Sequence, residues 1–386
     1  MLDENDDHES VSSRASTSFF SILCQSKKLA CCTCLSCVIV TMLITVIVSV
    51  IVVPWFYFAC DFDVQSAADT YTHWVPERIA FGSCNNPSYG TGLLGVIADH
   101  APDMFLWLGD NIYADTHWPQ MMRWKYNYLS CDPNFQYLAK RVPLQLATWD
   151  DHDYGVNDGD MRYDMKRESR DIFLDFWRVP KESVRRTHEP IYNVHRFRNA
   201  TYSLNVVLLD LRWDRTPEQP CQTSYGGLVV CVNTCIINLA GDTYCPDPEG
   251  KIMSDEQWGW LEAVLTENVD LTVVASSSQM LRSFNTFEGW SLYPRELSRF
   301  LNITKRLAET RKILVVSGDV HFGEISRMNG IYDVTSSGLT HFQTEDENMN
   351  RVGPALPGLN FGEIHLSSRT VFLFDGGGLP FVNVTF

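Results

Sequence analysis

Residues 103–115 read Asp-Met-Phe-Leu-Trp-Leu-Gly-Asp-Asn-Ile-Tyr-Ala-Asp, with the glycine at 109 and the first carboxylate after it at Asp110. The apolar run ending at Leu108 is the pattern of a short buried strand, predicted over Asp103–Leu108. Three further strands of this kind end on chemistry-bearing residues. Arg78–Ser83 runs into Phe81-Gly82-Ser83-Cys84, Val142–Trp149 into Trp149-Asp150-Asp151-His152-Asp153, and Ile313–Ser317 into Ser317-Gly318-Asp319-Val320-His321. Strand ends in an open α/β sheet converge on one crevice, the usual ligand site. One Gly-Asp by itself is ordinarily a solvated turn. Four ends that deliver carboxylate, imidazole, thiolate or phenolate, two of them carrying Asp with His, point to a shared metal site.

Helical patterns fall between the strands: Gly92–His100, Glu168–Trp177, a stretch near Glu296–Thr310, and one opened by the capping box Ser254-Asp-Glu-Gln257 and running to about Glu267. Ile191–Phe197 and Thr201–Leu209 read as paired strands, Leu271–Ala275 as another, and Phe361–Leu366, Thr370–Phe374 and Phe381–Phe386 as strands near the C-terminus. Strands alternating with helices predict a layered α/β architecture.

The 386 residues suffice for a sizeable core, and 12% aromatic with only 20% charged residues argue against a disordered chain. A net charge of −16 argues against a general nucleic-acid binder. It suits a site whose positive charge comes from cations. Two cations roughly 3.5–4 Å apart can clamp a phosphoryl group and lower the pKa of a bound water, and a bridging carboxylate is needed to hold them that close. Asp110 is placed for that role because Gly109 permits close backbone approach.

Together, Phe-Gly-Ser-Cys, Gly-Asp-x-x-Tyr-x-Asp, Trp-Asp-Asp-His-Asp and Ser-Gly-Asp-Val-His resemble, in order and spacing, the alkaline phosphatase D (PhoD-like) branch of the calcineurin-like metallophosphoesterases. Leu209-Asp-Leu-Arg212, Gln257-Trp-x-Trp-Leu261 and Ser336-Ser-Gly-Leu-Thr340 extend the resemblance over roughly residues 78–345. It implies a sandwich of two mixed sheets flanked by helices, and a phosphatase or phosphodiesterase acting on phosphate mono- or diesters. The cofactors it implies are Fe3+ beside Ca2+, other divalent cations being possible. Cys84, Asp110, Tyr113 and His321 would surround iron, Asp110 would bridge, and Asp151 and Asp319, with Asn157, would face calcium. A mixed S/O/N set suits iron and hard oxygens suit calcium.

His152 is assigned as general acid for the leaving alcohol or as a transition-state donor, against a ligand or structural role. Arg212 is a candidate phosphate clamp, or else a salt bridge to Asp210 or another acid. His341 is a candidate substrate contact, or else a loop residue. The chain departs from the branch in three ways. Only the short connector 59–77 separates the apolar span 35–58 from the first core strand, where bacterial relatives carry an N-terminal β-sandwich domain. A membrane helix is expected in place of the secretion signal, and Asp153 stands where the branch commonly has Glu.

The N-terminal region predicts a membrane anchor. Leu35–Phe58 is almost wholly apolar, and bases precede it while acids follow it. The expected organisation is a disordered cytosolic tail (1–34), a transmembrane signal-anchor helix (35–58), a connector (59–77) and a catalytic domain (78–386). This describes a single-pass type II protein with its catalytic domain lumenal or extracellular. Sequons at Asn199, Asn302 and Asn383 agree with that placement. Cys24, Cys31, Cys32, Cys34 and Cys37 suggest S-acylation, or reduced small apolar residues. Beyond them are Cys60, Cys84, Cys131, Cys221, Cys231, Cys235 and Cys245. The last four are expected to form two disulfides in one of three pairings, and Cys84 is the odd one expected on a metal.

The leading expectation is a membrane-anchored phosphoesterase acting on a small phosphate ester or a phospholipid headgroup. A catalytically retired scaffold on the same fold is the alternative. A serine hydrolase built on Ser276-Ser277-Ser278 lacks the Gly-x-Ser-x-Gly elbow. Oligomeric state carries no signal in the sequence.

Overall fold

The computed structural model describes residues 37–46, 59–65, 68–221, 228–231, 234–237, 244–283 and 287–386. The chain divides into two compact units, Met1–Phe58 and Ala59–Phe386. In the first, residues 37–46 are helical. That segment rises about 15 Å, half of a bilayer core of roughly 30 Å. Among the described residues no helix is long and apolar enough to cross a membrane. The expected transmembrane anchor, its membrane partner and the single-pass type II placement are corrected accordingly. Residues 35, 36 and 47–58 of the predicted span, and the predicted tail with Cys24, Cys31, Cys32 and Cys34, lie outside the described residues.

In the second unit, apolar runs form two mixed sheets. One orders its strands Pro380–Thr385, Thr370–Asp375, Asn360–His365, Arg78–Gly82, Met104–Leu108 and Gln145–Thr148, the last three mutually parallel. The other runs Thr70–Thr72, Asn193–Arg198, Ser203–Leu208, Leu271–Ala275, Ile313–Ser317, Ile331–Ser336 and Gly323–Met328. Side chains alternate across a strand, and this sorts the core into three parts. Ile79, Phe81, Leu106 and Leu108 meet Val206, Leu208, Val273 and Val316 between the sheets. Ala80, Phe105 and Trp107 face outward onto Leu93, Leu94, Ile97 and Phe135 of flanking helices. Val207, Val274 and Val315 face the opposite way, onto Trp258, Leu261 and Phe300. The result is a four-layer helix–sheet–sheet–helix arrangement.

Helix Gly92–His100 and strands Leu271–Ala275 and Ile313–Ser317 match the predicted bounds. The stretch 114–140, for which no element is predicted above, contains helices Pro119–Ser130 and Pro133–Arg141. Each starts with proline in its first turn, where no N–H is missed. The Asp132 carboxylate caps the second by accepting from the Asn134 and Phe135 N–H groups. The hairpin Gly323–Met328/Ile331–Ser336 was also unread, although its turn, Asn329-Gly330, has positive φ at both residues. The capping box at Ser254 is only half formed. Ser254 accepts from the Gln257 N–H, while the Gln257 amide grips the Asp210 backbone N–H and carbonyl instead.

Disulfides join Cys60 to Cys131 and Cys221 to Cys245. The side chains of Cys231 and Cys235 lie outside the described residues. Cys37 and Cys84 are free thiols, exposed and buried respectively. The first disulfide closes a sequence separation of 71 and ties the start of the unit to the end of a helix. Replacing both its cysteines with serine should lower stability by about 2–4 kcal/mol, read as a lower urea midpoint.

Candidate metal centre

Because Arg78–Gly82, Met104–Leu108 and Gln145–Thr148 run parallel, their carboxyl ends share one side of the sheet. The strand ends of the other sheet meet them there. Leu339 N–H donates to Ser83 O (3.2 Å) between the sheets, and Gly318 N–H to Ser277 O (3.0 Å) within the second. At this seam the backbone turns left-handed at four non-glycine residues: Cys84 (φ 62°), Asp110 (51°), Asp319 (78°) and His321 (61°). Each such residue costs on the order of 1–3 kcal/mol and persists only where its surroundings hold it. Gly109 (φ 104°) is required for close approach, since a Cβ there would stand 2.6 Å from the Asp150 Cβ.

The first cluster follows from these turns. Asp110 Oδ2 lies 3.5 Å from Cys84 Sγ and 3.3 Å from Tyr113 Oη, and Tyr113 Oη is 3.3 Å from His321 Nε2. Cys84, Asp110 and His321 offer donor atoms within 4.8 Å of one another. His341 stands beside this group, its Nε2 3.1 Å from Tyr113 Oη and 3.2 Å from His321 Nε2. Burial pushes the Cys84 thiol up to about 12. Burial and then the neighbouring Asp151 charge push Asp110 well above the usual carboxylate range. Burial lowers His321 and His341 to about 4, so both imidazoles are neutral.

A second cluster comprises Asp110, Asp151 and His152, and a third Asp151, Asp158 and Glu288. Asp151 Oδ2 accepts the Asp158 N–H at 2.7 Å. Asp158 and Glu288 were not singled out from the sequence. Asp158 adjoins Asn157 in the acidic loop, a signal that was available, whereas Glu288 stands in no motif. Asn157 and Asp319 line a cavity of about 270 Å³ with Asp151, His152 and His321. Asp319 does not belong to the three clusters.

Arg212 stands behind this site. It is 0% exposed, pairs through Nε with Asp150 and through Nη1 with Glu288, and lies 3.6 Å from Asp151 Oδ1. The salt-bridge alternative therefore describes its contacts, with acids other than Asp210, whose carboxylate accepts the Arg212 backbone N–H instead. Ser277 is buried and donates to Asp150 at 2.9 Å, so the serine triplet is structural. Asp153 Oδ1 accepts the Asp150 N–H at 2.6 Å and its Oδ2 the Asn111 N–H at 3.1 Å, which ties two motif loops together.

His152 Nδ1 is 2.7 Å from Asp115 Oδ1, and its ring lies 4.1 Å from the Tyr113 ring. Burial alone would lower its pKa, but Asp151, Asp110 and Asp115 raise it to about 11. Asp115 closes the Gly-Asp-x-x-Tyr-x-Asp motif, yet a role for it was legible only once His152 was placed beside it. The three sequon asparagines are exposed.

The residues fit a metal. Asp110 Oδ1 and Asp151 Oδ1 are buried and have no hydrogen-bond partner among the described residues. A buried carboxylate oxygen left without a hydrogen bond is costly, and a cation between these two offsets the cost.

The PhoD-like phosphatase family model matches residues 79–345. This chain belongs to that family. It is a hydrolase of phosphoric esters, metal-dependent, with a phosphate ester as substrate. The solved structure of PhoD superposes with a TM-score of 0.57 at 15% identity, covering 81% of this chain and 73% of that one. Purple acid phosphatase PPD1 from yellow lupin (Lupinus luteus) seeds superposes with a TM-score of 0.51 at 11% identity, covering 80% of this chain and 53% of that one. Both likenesses are of fold. Comparison with curated proteins gives no match.

The raised His152 pKa has a sign. Its charge contributes stability fully present below the ordinary imidazole value of 6.5 and lost as pH rises through about 11. Asp115→Asn should lower the pH at which His152 titrates by about one to two pH units, measured by NMR.

Proposed function

We propose that this phosphatase hydrolyses phosphate mono- or diesters at a two-cation centre, with iron held by Cys84, Asp110, Tyr113 and His321 and calcium held beside it. Asp110 bridges in this reading. Asp151 leads the calcium side, with Asp158 and Glu288 in reach and Asn157 and Asp319 lining the cavity. The observation that carries the reading is the pair of buried oxygens on Asp110 and Asp151 that accept no hydrogen bond among the described residues, set between a thiol, phenol and imidazole on one side and further carboxylates on the other. Bound there, the cations would polarise the phosphoryl group and activate a water.

The chain's own residues supply the rest. Asp115 holds His152 Nδ1 and leaves its Nε2–H for the leaving oxygen, the proton passing to the departing alkoxide. Arg212 positions Asp150, Asp151 and Glu288 and does not reach substrate, because its guanidinium is closed off by them. The cavity of about 270 Å³ admits a compact phosphate ester and its cations. The sequons at Asn199, Asn302 and Asn383 are proposed modification sites.

Purified protein should hydrolyse a chromogenic phosphate mono- or diester, lose that activity to a chelator, and show the visible band of an iron–tyrosinate. A folded but colourless, metal-free and inactive protein would sink the proposal. His152→Ala should reduce kcat by about 10²- to 10⁴-fold without loss of bound metal. Asp110→Asn should lose both metal and activity.

A further inference from the structure

His341 Nε2 stands 3.1 Å from Tyr113 Oη and 3.2 Å from His321 Nε2, and those two atoms are 3.3 Å apart. Two donors each about 2.1 Å from one ion are separated by about 3.0 Å at a right angle and about 3.4 Å at the tetrahedral angle. The triangle therefore has the spacing of neighbouring ligands. The same spacing continues from Tyr113 Oη to Asp110 Oδ2 (3.3 Å) and on to Cys84 Sγ (3.5 Å).

The ring's tautomer follows from its other nitrogen. The Thr340 hydroxyl has one proton and two lone pairs. Its proton goes to Cys84 O at 3.0 Å, because a carbonyl can only accept, and one lone pair accepts the Asn86 N–H at 2.7 Å. His341 Nδ1 lies 3.1 Å from the same oxygen and can only donate to the remaining lone pair. The proton therefore resides on Nδ1 and the lone pair on Nε2, directed at Tyr113 and His321. The loop bearing His341 follows strand Ile331–Ser336, which makes it a fifth strand end reaching the centre.

We propose that His341 is a metal ligand, its Nε2 binding the cation on the side of Tyr113 and His321, and that Thr340 is a positioning residue fixing the tautomer this requires. The inference rests on the two-cation reading above and replaces the expected substrate contact.

The test compares wild type, His341→Phe, which keeps ring volume without a lone pair, and Thr340→Val. Metal content by mass spectrometry, the tyrosinate absorption band and the rate of metal loss to a chelator are measured on each. In His341→Phe the metal should be lost about 10- to 100-fold faster and the band should shift, with Thr340→Val between it and wild type. In His341→Ala, added imidazole should restore both readings even if the phenylalanine variant fails to fold. Wild-type metal retention and an unchanged band in the alanine variant, with only KM raised, would overturn the assignment and return His341 to substrate binding. A wild type that holds no metal and shows no band would overturn the two-cation reading, and this assignment with it.

Discussion

Carboxylates crowded at the ends of buried strands repel one another and lose their hydration, and much of the surrounding structure offsets that cost. Asp150 is held by Arg212 and Ser277, Asp153 by two backbone N–H groups, and Asp210 by the Trp149 indole and the Ile191, Arg212 and Trp213 N–H groups. Arg215 pairs with Glu218 and Glu288. Arg212 and Arg215 thus stand behind the site and neutralise its rear. Toward the cavity, Asp110 Oδ1 and Asp151 Oδ1 accept no hydrogen bond among the described residues, the latter lying 3.6 Å from the Arg212 guanidinium. An ion can occupy that position, whereas a protein side chain would block it.

Placement of these groups depends on backbone geometry that the sheets enforce. Left-handed residues at Cys84, Asp110, Asp319 and His321 redirect side chains at the points where strands stop. Their local cost is tolerated because the strands behind them are buried on both sides, with Ile79, Phe81, Leu106 and Leu108 between the sheets and Ala80, Phe105 and Trp107 under helices. A site carried on rigid strand ends keeps its donor atoms spaced before any ligand arrives, and that preorganisation favours both binding and catalysis.

Much of the fold was legible because its signals are local. Unbroken apolar runs such as Met104–Leu108 and Ile313–Ser317 can satisfy themselves only as buried strands, and their terminal residues announced where chemistry would gather. The reading failed where a local signal competes with another. Pro119 and Pro133 look like loop residues until they are recognised as first-turn residues of helices. Leu35–Phe58 is apolar enough for a membrane, yet among the described residues no helix is long and apolar enough to cross one. Gln257 looks like the closing half of a capping box, yet it bonds the Asp210 backbone because tertiary packing brings that strand end within reach.

By itself the sequence determined the family, the layered α/β class and the convergence of Cys84, Asp110, Tyr113, Asp151 and His321, since each is tied to a strand end and strand ends converge. Only the tertiary structure decided what Arg212, Asp115, Glu288 and His341 touch. Their partners come from other segments of the chain: Asp150 for Arg212, His152 for Asp115, Arg212 and Arg215 for Glu288, and Tyr113 with His321 for His341. No periodicity encodes such contacts. They exist because two sheets pack face to face and bring their loops together over one cavity.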